Sequence, residues 1–111
     1  MQNDARKAAI AAYKERKVVA GIYKIRCLAN EQSWVGHAPD LSTIQNRVWF
    51  TLRQGSHRRR ELHAAWQAHG EAQFAFEEVE RIDAEELAIG YERVMKARLA
   101  HWAGKLNAQP L

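Results

Sequence analysis

The sequence has one cysteine, two prolines and no apolar run long enough to cross a bilayer. Cys27 alone cannot close a disulfide within the chain, which excludes a disulfide-stapled scaffold. No internal repeat and no interior linker rich in proline and glycine divides the 111 residues, a length that closes one core but hardly two. The first residues carry no apolar stretch of the kind that marks secretion, so a cytoplasmic protein is expected. His63, His69 and His101 form no compact HxxxH or cysteine–histidine pattern, which leaves zinc with little support. Hydrophobic types make up 47% of the chain, enough to exclude a wholly disordered tail.

The charge is present in unequal blocks. A net +4 is ordinary for a small soluble domain and decides nothing about partners. Residues 1–70, however, carry twelve bases and five acids, residues 71–92 carry eight acids and one base, and residues 93–111 add four bases and no acid. A basic body and a basic end thus flank an acidic stretch. That arrangement suits a polyanion on one face and a metal or basic partner on another, or it is simply the solvated side of helices and strand ends.

The hydrophobic pattern predicts a small α+β domain. Residues 3–18 are rich in alanine, lysine, arginine and glutamate and read as an N-terminal helix with a weak apolar seam, suited to packing on the domain or to self-association or a protein partner. In residues 19–28, Ile22, Lys24, Arg26 and Leu28 alternate with Gly21, Tyr23, Ile25 and Cys27, the signature of a strand. A turn at Asn30 and Glu31 returns a second strand from Gln32 to Gly36. Asp40 is placed to cap a helix whose buried stripe is Leu41, Ile44, Val48 and Leu52. Gly55 and Ser56 interrupt it, and a second helix from Arg58 to His69 stops at Gly70. Phe74 to Val79 reads as a third strand with imperfect alternation. One long helix from Asp83 to Leu106 follows, with Asp83 and Glu86 arranged as a capping box and Leu87, Tyr91, Val94, Arg98 and Trp102 as its seam. The expected organisation is a helical extension (1–18), a domain with a three-stranded sheet flanked by helices (19–106) and a tail (107–111).

Within this order stand Gly21-Ile22-Tyr23, extended by Lys24 and Ile25, then Trp34-Val35-Gly36 about ten residues later, then LRQGSHRRRELHAAWQAHG from Leu52 to Gly70 ahead of an aromatic strand. The ordered set resembles the GIY-YIG nuclease superfamily over about Gly21 to Trp102. The resemblance implies metal-assisted hydrolysis of nucleic-acid phosphodiesters, DNA being the expected substrate, with Mg²⁺ or Mn²⁺ as cofactor. In the family this chemistry is attributed to a tyrosine pair, an arginine, a histidine or tyrosine, and a metal-binding glutamate.

Carried over residue by residue, the resemblance assigns Tyr23 as the first tyrosine, to orient or deprotonate water, a role that needs a nearby cation because phenol is a weak base at neutral pH. Trp34 replaces the second tyrosine. Indole neither acts as a base nor offers a negative oxygen, so Trp34 either packs or stacks on a base or sugar. The family arginine, thirteen residues before His57, is replaced by Ile44; Arg47, one turn on, either reaches a phosphate or faces solvent. His57 matches the family histidine, at a helix junction where an imidazole can hold phosphate or move a proton. Arg58, Arg59 and Arg60 suit phosphate forks or a solvated helix start, and His37, beside Gly36, lines the cleft or a wet turn. Glu92 matches the metal-binding glutamate, with Glu85 and Glu86 as alternatives in another register. Trp34 and Ile44 also leave open a module that keeps the fold and binds nucleic acid or protein without cutting.

Overall fold

The computed structural model describes residues 18–111; the helix expected over residues 3–18 lies outside them except for its last residue. The elements are β1 (Ala20–Cys27), β2 (Ser33–Ala38), α1 (Leu41–Gln54), α2 (Arg60–His69), a single 3₁₀ turn (Glu71–Gln73), β3 (Phe74–Ile82), α3 (Ala84–Leu87), α4 (Tyr91–Leu106) and β4 (Gln109–Pro110). The sheet order is β3-β1-β2-β4, with β1 antiparallel to both neighbours and β4 parallel to β2. The α+β architecture with helices on both sides of the sheet is the expected one. Among the described residues no helix is long and apolar enough to cross a membrane.

Alternation along β1 separates two cores. Tyr23, Ile25 and Cys27 pack with Trp34, with Leu41, Val48, Trp49 and Leu52 of α1, and with Leu62 and Trp66 of α2. Ala20 and Ile22 pack on the other side with Val35, Ile82 and Met95 of α4. The first helix is built as its sequence suggests: the Asp40 carboxylate accepts from the Ser42 amide at 3.0 Å, and Gly55 closes it in the left-handed conformation at φ 72°.

Four details differ from the sequence expectation. The sheet has a fourth strand, because the segment read as a tail turns at Asn107 (φ 51°) and lays Gln109 and Pro110 beside Trp34 and Val35. The long terminal helix is two helices, broken at Gly90 (φ 137°), a backbone conformation open to glycine and not to a helix interior. Asp83 stands at the start of α3 but makes no side-chain capping bond there. Helix α2 begins at Arg60, two residues later than expected, since the Arg59 amide is bonded to the His57 ring. The imperfect alternation of β3 also has a cause: a bulge opposite the Ile22–Tyr23 step shifts its pairing from Glu80 to Glu78. Phe74 and Phe76 therefore face α1 and α2, while Val79 and Ile82 face α4.

Much of the acidic stretch is spent inside the molecule. Glu71 pairs with Arg53, Glu78 with Arg81, and Arg98 joins Glu80 to Glu86 with both contacts at 3.1 Å. The Trp102 indole also donates to Glu80 at 2.9 Å. Arg98 and Trp102 thereby tie α4 to β3 and α3.

Met95 is fully buried in the core that α4 closes against the sheet. Met95→Ala is expected to lower unfolding free energy by about 2–5 kcal/mol in a urea titration. A loss below about 1 kcal/mol would mean that α4 does not close that side of the sheet.

Candidate active site

The turn-rich edge of the sheet next to α2 holds a small cavity of about 110 Å³, lined by Tyr23, Gly36, His37, His57, Arg58, Arg59 and Leu111. Each lining group arrives from a different local device. Tyr23 pairs with Gly36 across β1 and β2, and its ring occupies the space a side chain at 36 would need: a Cβ there would stand 2.5 Å from the phenol oxygen. Gly21 answers a separate demand, since a Cβ there would lie 2.0 Å from the Glu80 carbonyl oxygen. The loop between α1 and α2 brings His57 and Arg58. The last strand brings Leu111, whose amide donates to the Val35 carbonyl at 2.7 Å, and the Arg59 guanidinium anchors that strand by donating to the Pro110 carbonyl.

Tyr23 is buried and stacked on Phe76, with ring centroids 5.2 Å apart. Burial pushes its pKa up to about 12; the Arg58 guanidinium opposes that shift, and the Tyr91 hydroxyl adds to it. Ionising this phenol near neutrality would cost roughly 7 kcal/mol. In its neutral form the phenol is a hydrogen-bond donor able to orient a water or phosphate, and a cation beside it would lower the cost of ionisation.

The His57 Nδ1 accepts the Arg59 amide at 3.1 Å, so the neutral ring carries its proton on Nε2. Burial lowers the His57 pKa first, and the positive charge of Arg58 next. His57 thus favours the neutral form and presents an N–H. Arg58 acts on both Tyr23 and His57, which places its charge at the cleft.

His37 leaves the sheet at the end of β2, and its Nδ1 lies 3.1 Å from the Tyr91 hydroxyl, with the rings edge to face at 5.7 Å. Tyr91 opens α4 directly after Gly90 and is half-buried against the second core, and burial raises its pKa. It was assigned to the helix seam by periodicity; the glycine before it, which restarts the helix, was the available sign that its side chain stands at an end.

The remaining sequence candidates fall elsewhere. Trp34 is a correction to the stacking role: it is 1% exposed, stacked on Phe74, and has no face open to a base. Arg47 is exposed on α1, outside the cavity lining and without an ion pair among the described residues, while Ile44 packs partly buried on the core. Arg60 is exposed at the start of α2 and does not line the cavity. Glu92 is exposed in the first turn of α4, next to Tyr91, with no ion pair among the described residues. Of its alternatives, Glu86 is paired with Arg98 and Glu85 lies on the far side of the Gly90 break. Among the described residues no group of three or more histidine, cysteine or acidic side chains could hold a metal ion.

Because Arg58 depresses the His57 pKa, Arg58→Gln is expected to raise it toward its ordinary 6.5, though short of it since burial remains. The sign for stability follows. Between the folded pKa and 6.5 the unfolded chain binds a proton that the folded chain does not, so His57 destabilises the fold as pH drops through that window and has no effect above it. NMR titration of the imidazole in both proteins checks the shift, and an unchanged pKa would remove Arg58 from the cleft.

No protein-family model matches the sequence, and no curated protein matches it. Solved structures do. A glutamate-to-alanine mutant of the catalytic domain of intron endonuclease I-TevI is 27% identical, with a TM-score of 0.68 over 80% of this chain and 84% of that one. The catalytic domain of homing endonuclease I-TevI is 25% identical, with a TM-score of 0.70 over 83% of this chain and 97% of that one. The chain has the fold of a GIY-YIG endonuclease catalytic domain, and this distant likeness in sequence and structure supports placing it in that superfamily.

Proposed function

We propose that the protein is a GIY-YIG-type endonuclease that hydrolyses DNA phosphodiester bonds with a divalent metal, Mg²⁺ or Mn²⁺. The observation that carries the reading is the convergence of Tyr23, His57 and Arg58 on one cleft in a domain with an endonuclease fold. All three present hydrogen-bond donors, the polarity a phosphodiester requires. The Tyr23 phenol and the His57 Nε2–H hold phosphate oxygens, and the Arg58 guanidinium opposes charge that builds on them in the transition state. Arg58 supplies, from the loop before α2, the cation that Ile44 does not supply from α1.

Glu92 is the residue suited to the metal. One exposed carboxylate, uncommitted to an ion pair, fits Mg²⁺ that completes its octahedron with waters and phosphate oxygens, and it does not fit a metal held by protein alone. When bound with substrate, such an ion neutralises phosphate charge. Tyr23, His57 and Arg58 supply binding and orientation independently of it. The same basic groups favour nucleic acid as partner, and binding should weaken with salt in proportion to the phosphates they neutralise.

Trp34 and Ile44 favour a second reading, a module that binds nucleic acid without cutting it, because each replaces a polar family residue with core packing. Cleavage of single-stranded, duplex and branched DNA with Mg²⁺ or Mn²⁺ separates the two. Tyr23→Phe and Glu92→Gln should each lower the rate by about 10²-fold or more, and chelation should abolish it. Equal, negligible cleavage by the purified protein and both variants, alongside salt-sensitive binding that chelation does not affect, would replace the nuclease with the binding module.

A further inference from the structure

Helix α1 buries Leu41, Val48, Trp49 and Leu52, so at 3.6 residues per turn the opposite side of the helix falls on Thr43, Phe50 and Gln54. That side should be polar, yet Phe50 stands in the middle of it and is 56% exposed. A single exposed apolar side chain is ordinary by itself. The surroundings of this one are not. The other large apolar side chains that reach solvent among the described residues, Val18, Leu28 and Ile89, lie outside helices and strands, and none is aromatic. Phe50 is edged by Asn46, Arg47 and Gln54, all exposed, and α1 carries no acid along its length. Trp34, the residue expected to stack on a base, is in the core, so the free ring is that of Phe50.

We propose that the outward face of α1 is a second nucleic-acid contact, where Phe50 stacks on the base of an unpaired nucleotide and Arg47 holds a phosphate of the same strand. The assignment rests on nucleic acid being the partner of the cleft, and not on cleavage. It adds a preference for an unpaired DNA strand to a site that otherwise recognises only phosphate.

The chemistry of the face selects this occupant. In a duplex the faces of the bases are covered by their neighbours, so a ring on a helix surface finds a π-face only on a base that is unpaired. Arg47 precedes Phe50 by three residues, about 4.5 Å along the axis, and enters no ion pair among the described residues, whereas Arg53 on the flank is neutralised by Glu71. Gln54 ends α1 about 6 Å beyond Phe50, and the loop that follows carries His57 and Arg58 into the cavity lining. Groups for phosphate and a ring for a base therefore stand on consecutive segments of the chain. A protein partner fits less well. One ring without a second exposed large apolar side chain on α1 is short of the apolar centre that a stable protein interface needs, while a free cation with no acid beside it favours an anion.

The test is fluorescence anisotropy with labelled single-stranded and blunt duplex DNA of one sequence, under chelation so that nothing is cut, for the wild-type chain, Phe50→Ala, Phe50→Leu, Phe50→Trp and Arg47→Gln. Phe50→Ala should bind the single strand about tenfold more weakly and lose less on the duplex. Phe50→Leu, apolar but without a π-face, should stay weak, and Phe50→Trp should bind at least as tightly as the wild type. Arg47→Gln should reduce the slope of log affinity against log salt by about 0.7 on the single strand, and an unchanged slope removes Arg47 from the contact. A thermal melt shows that each variant is folded, and Phe50→Leu carries the comparison if the alanine variant is not. Single-strand binding by Phe50→Ala within about twofold of wild type, binding by Phe50→Leu equal to wild type, or an equal loss on both DNAs overturns the stacking site while leaving the cleft reading in place. A change in mass in solution on Phe50→Ala without DNA assigns the ring to a contact between copies and also overturns it. A wild-type chain that binds neither DNA overturns the nucleic-acid reading and this assignment together.

Discussion

The close approach of the Tyr23 ring to the backbone of β2 at Gly36 is the constraint on which the rest of the site depends. A side chain at position 36 would occupy the space of the phenol, so the glycine in one strand is the condition for the tyrosine in the other. The same logic runs back along β1. Gly21 admits the Glu80 carbonyl, Ile22 fills the core under α4, and Tyr23 turns to the opposite side of the sheet. Three consecutive residues therefore serve an interstrand contact, one core and the cleft. The β3 bulge opposite the Ile22–Tyr23 step lets the outer strand follow both demands, keeping its phenylalanines with α1 and α2 and its later aliphatic residues with α4.

From Tyr23 the aromatic contacts continue without interruption through Phe76, Trp49, Trp66 and Phe74 to Trp34, with successive centroids between 5.2 and 6.5 Å. Contacts of this kind add about 0.5–1.5 kcal/mol each beyond burial. The chain explains why Trp34 is a packing residue. At its end of the strand an indole completes the stack, whereas a phenol there would bring a hydroxyl into a region where even the indole Nε1 finds no partner. It also explains the chemistry of Tyr23, which belongs at once to the stack and to the cleft. Burial in that apolar layer is what raises its pKa, and the Arg58 charge at the cleft opposes the rise.

What was legible in the sequence was what local patterns determine. Alternation in β1, the Asp40 cap, the Gly55 stop and the apolar stripe of α1 are properties of neighbouring residues, and each is realised. The ordered motifs named Tyr23, His37, His57, Arg58 and Arg59 as candidates, but not that these would meet while Arg47 and Glu92 stayed outside the cavity lining, which tertiary packing decides. The missed features are non-local or depend on one backbone angle. Strand β4 has two residues and no pattern of its own; it exists because Asn107 turns the chain back against β2 and Arg59 holds it there. Gly90 fell inside one long expected helix with Tyr91 in its seam, although a glycine at φ 137° ends one helix and starts the next. The acidic stretch misled in another way, since charge runs do not reveal that Glu71, Glu78, Glu80 and Glu86 are already paired within the molecule.

That pairing changes what the net charge means. Arg53, Arg81 and Arg98 do not line the cavity and are spent on ion pairs with Glu71, Glu78, Glu80 and Glu86. Arg59 is also committed, to the last strand and to His57. Arg58 is different: among the described residues it enters no ion pair, and its charge is felt by both the phenol and the imidazole that face the cavity. A cation in that position lowers the proton affinity of each neighbour and attracts an anion to the space between them. Ile44 can therefore be absorbed into the core without emptying the cleft of positive charge, because the loop before α2 reaches the cavity from the other side. The cleft keeps a positive charge through one guanidinium that enters no ion pair among the described residues.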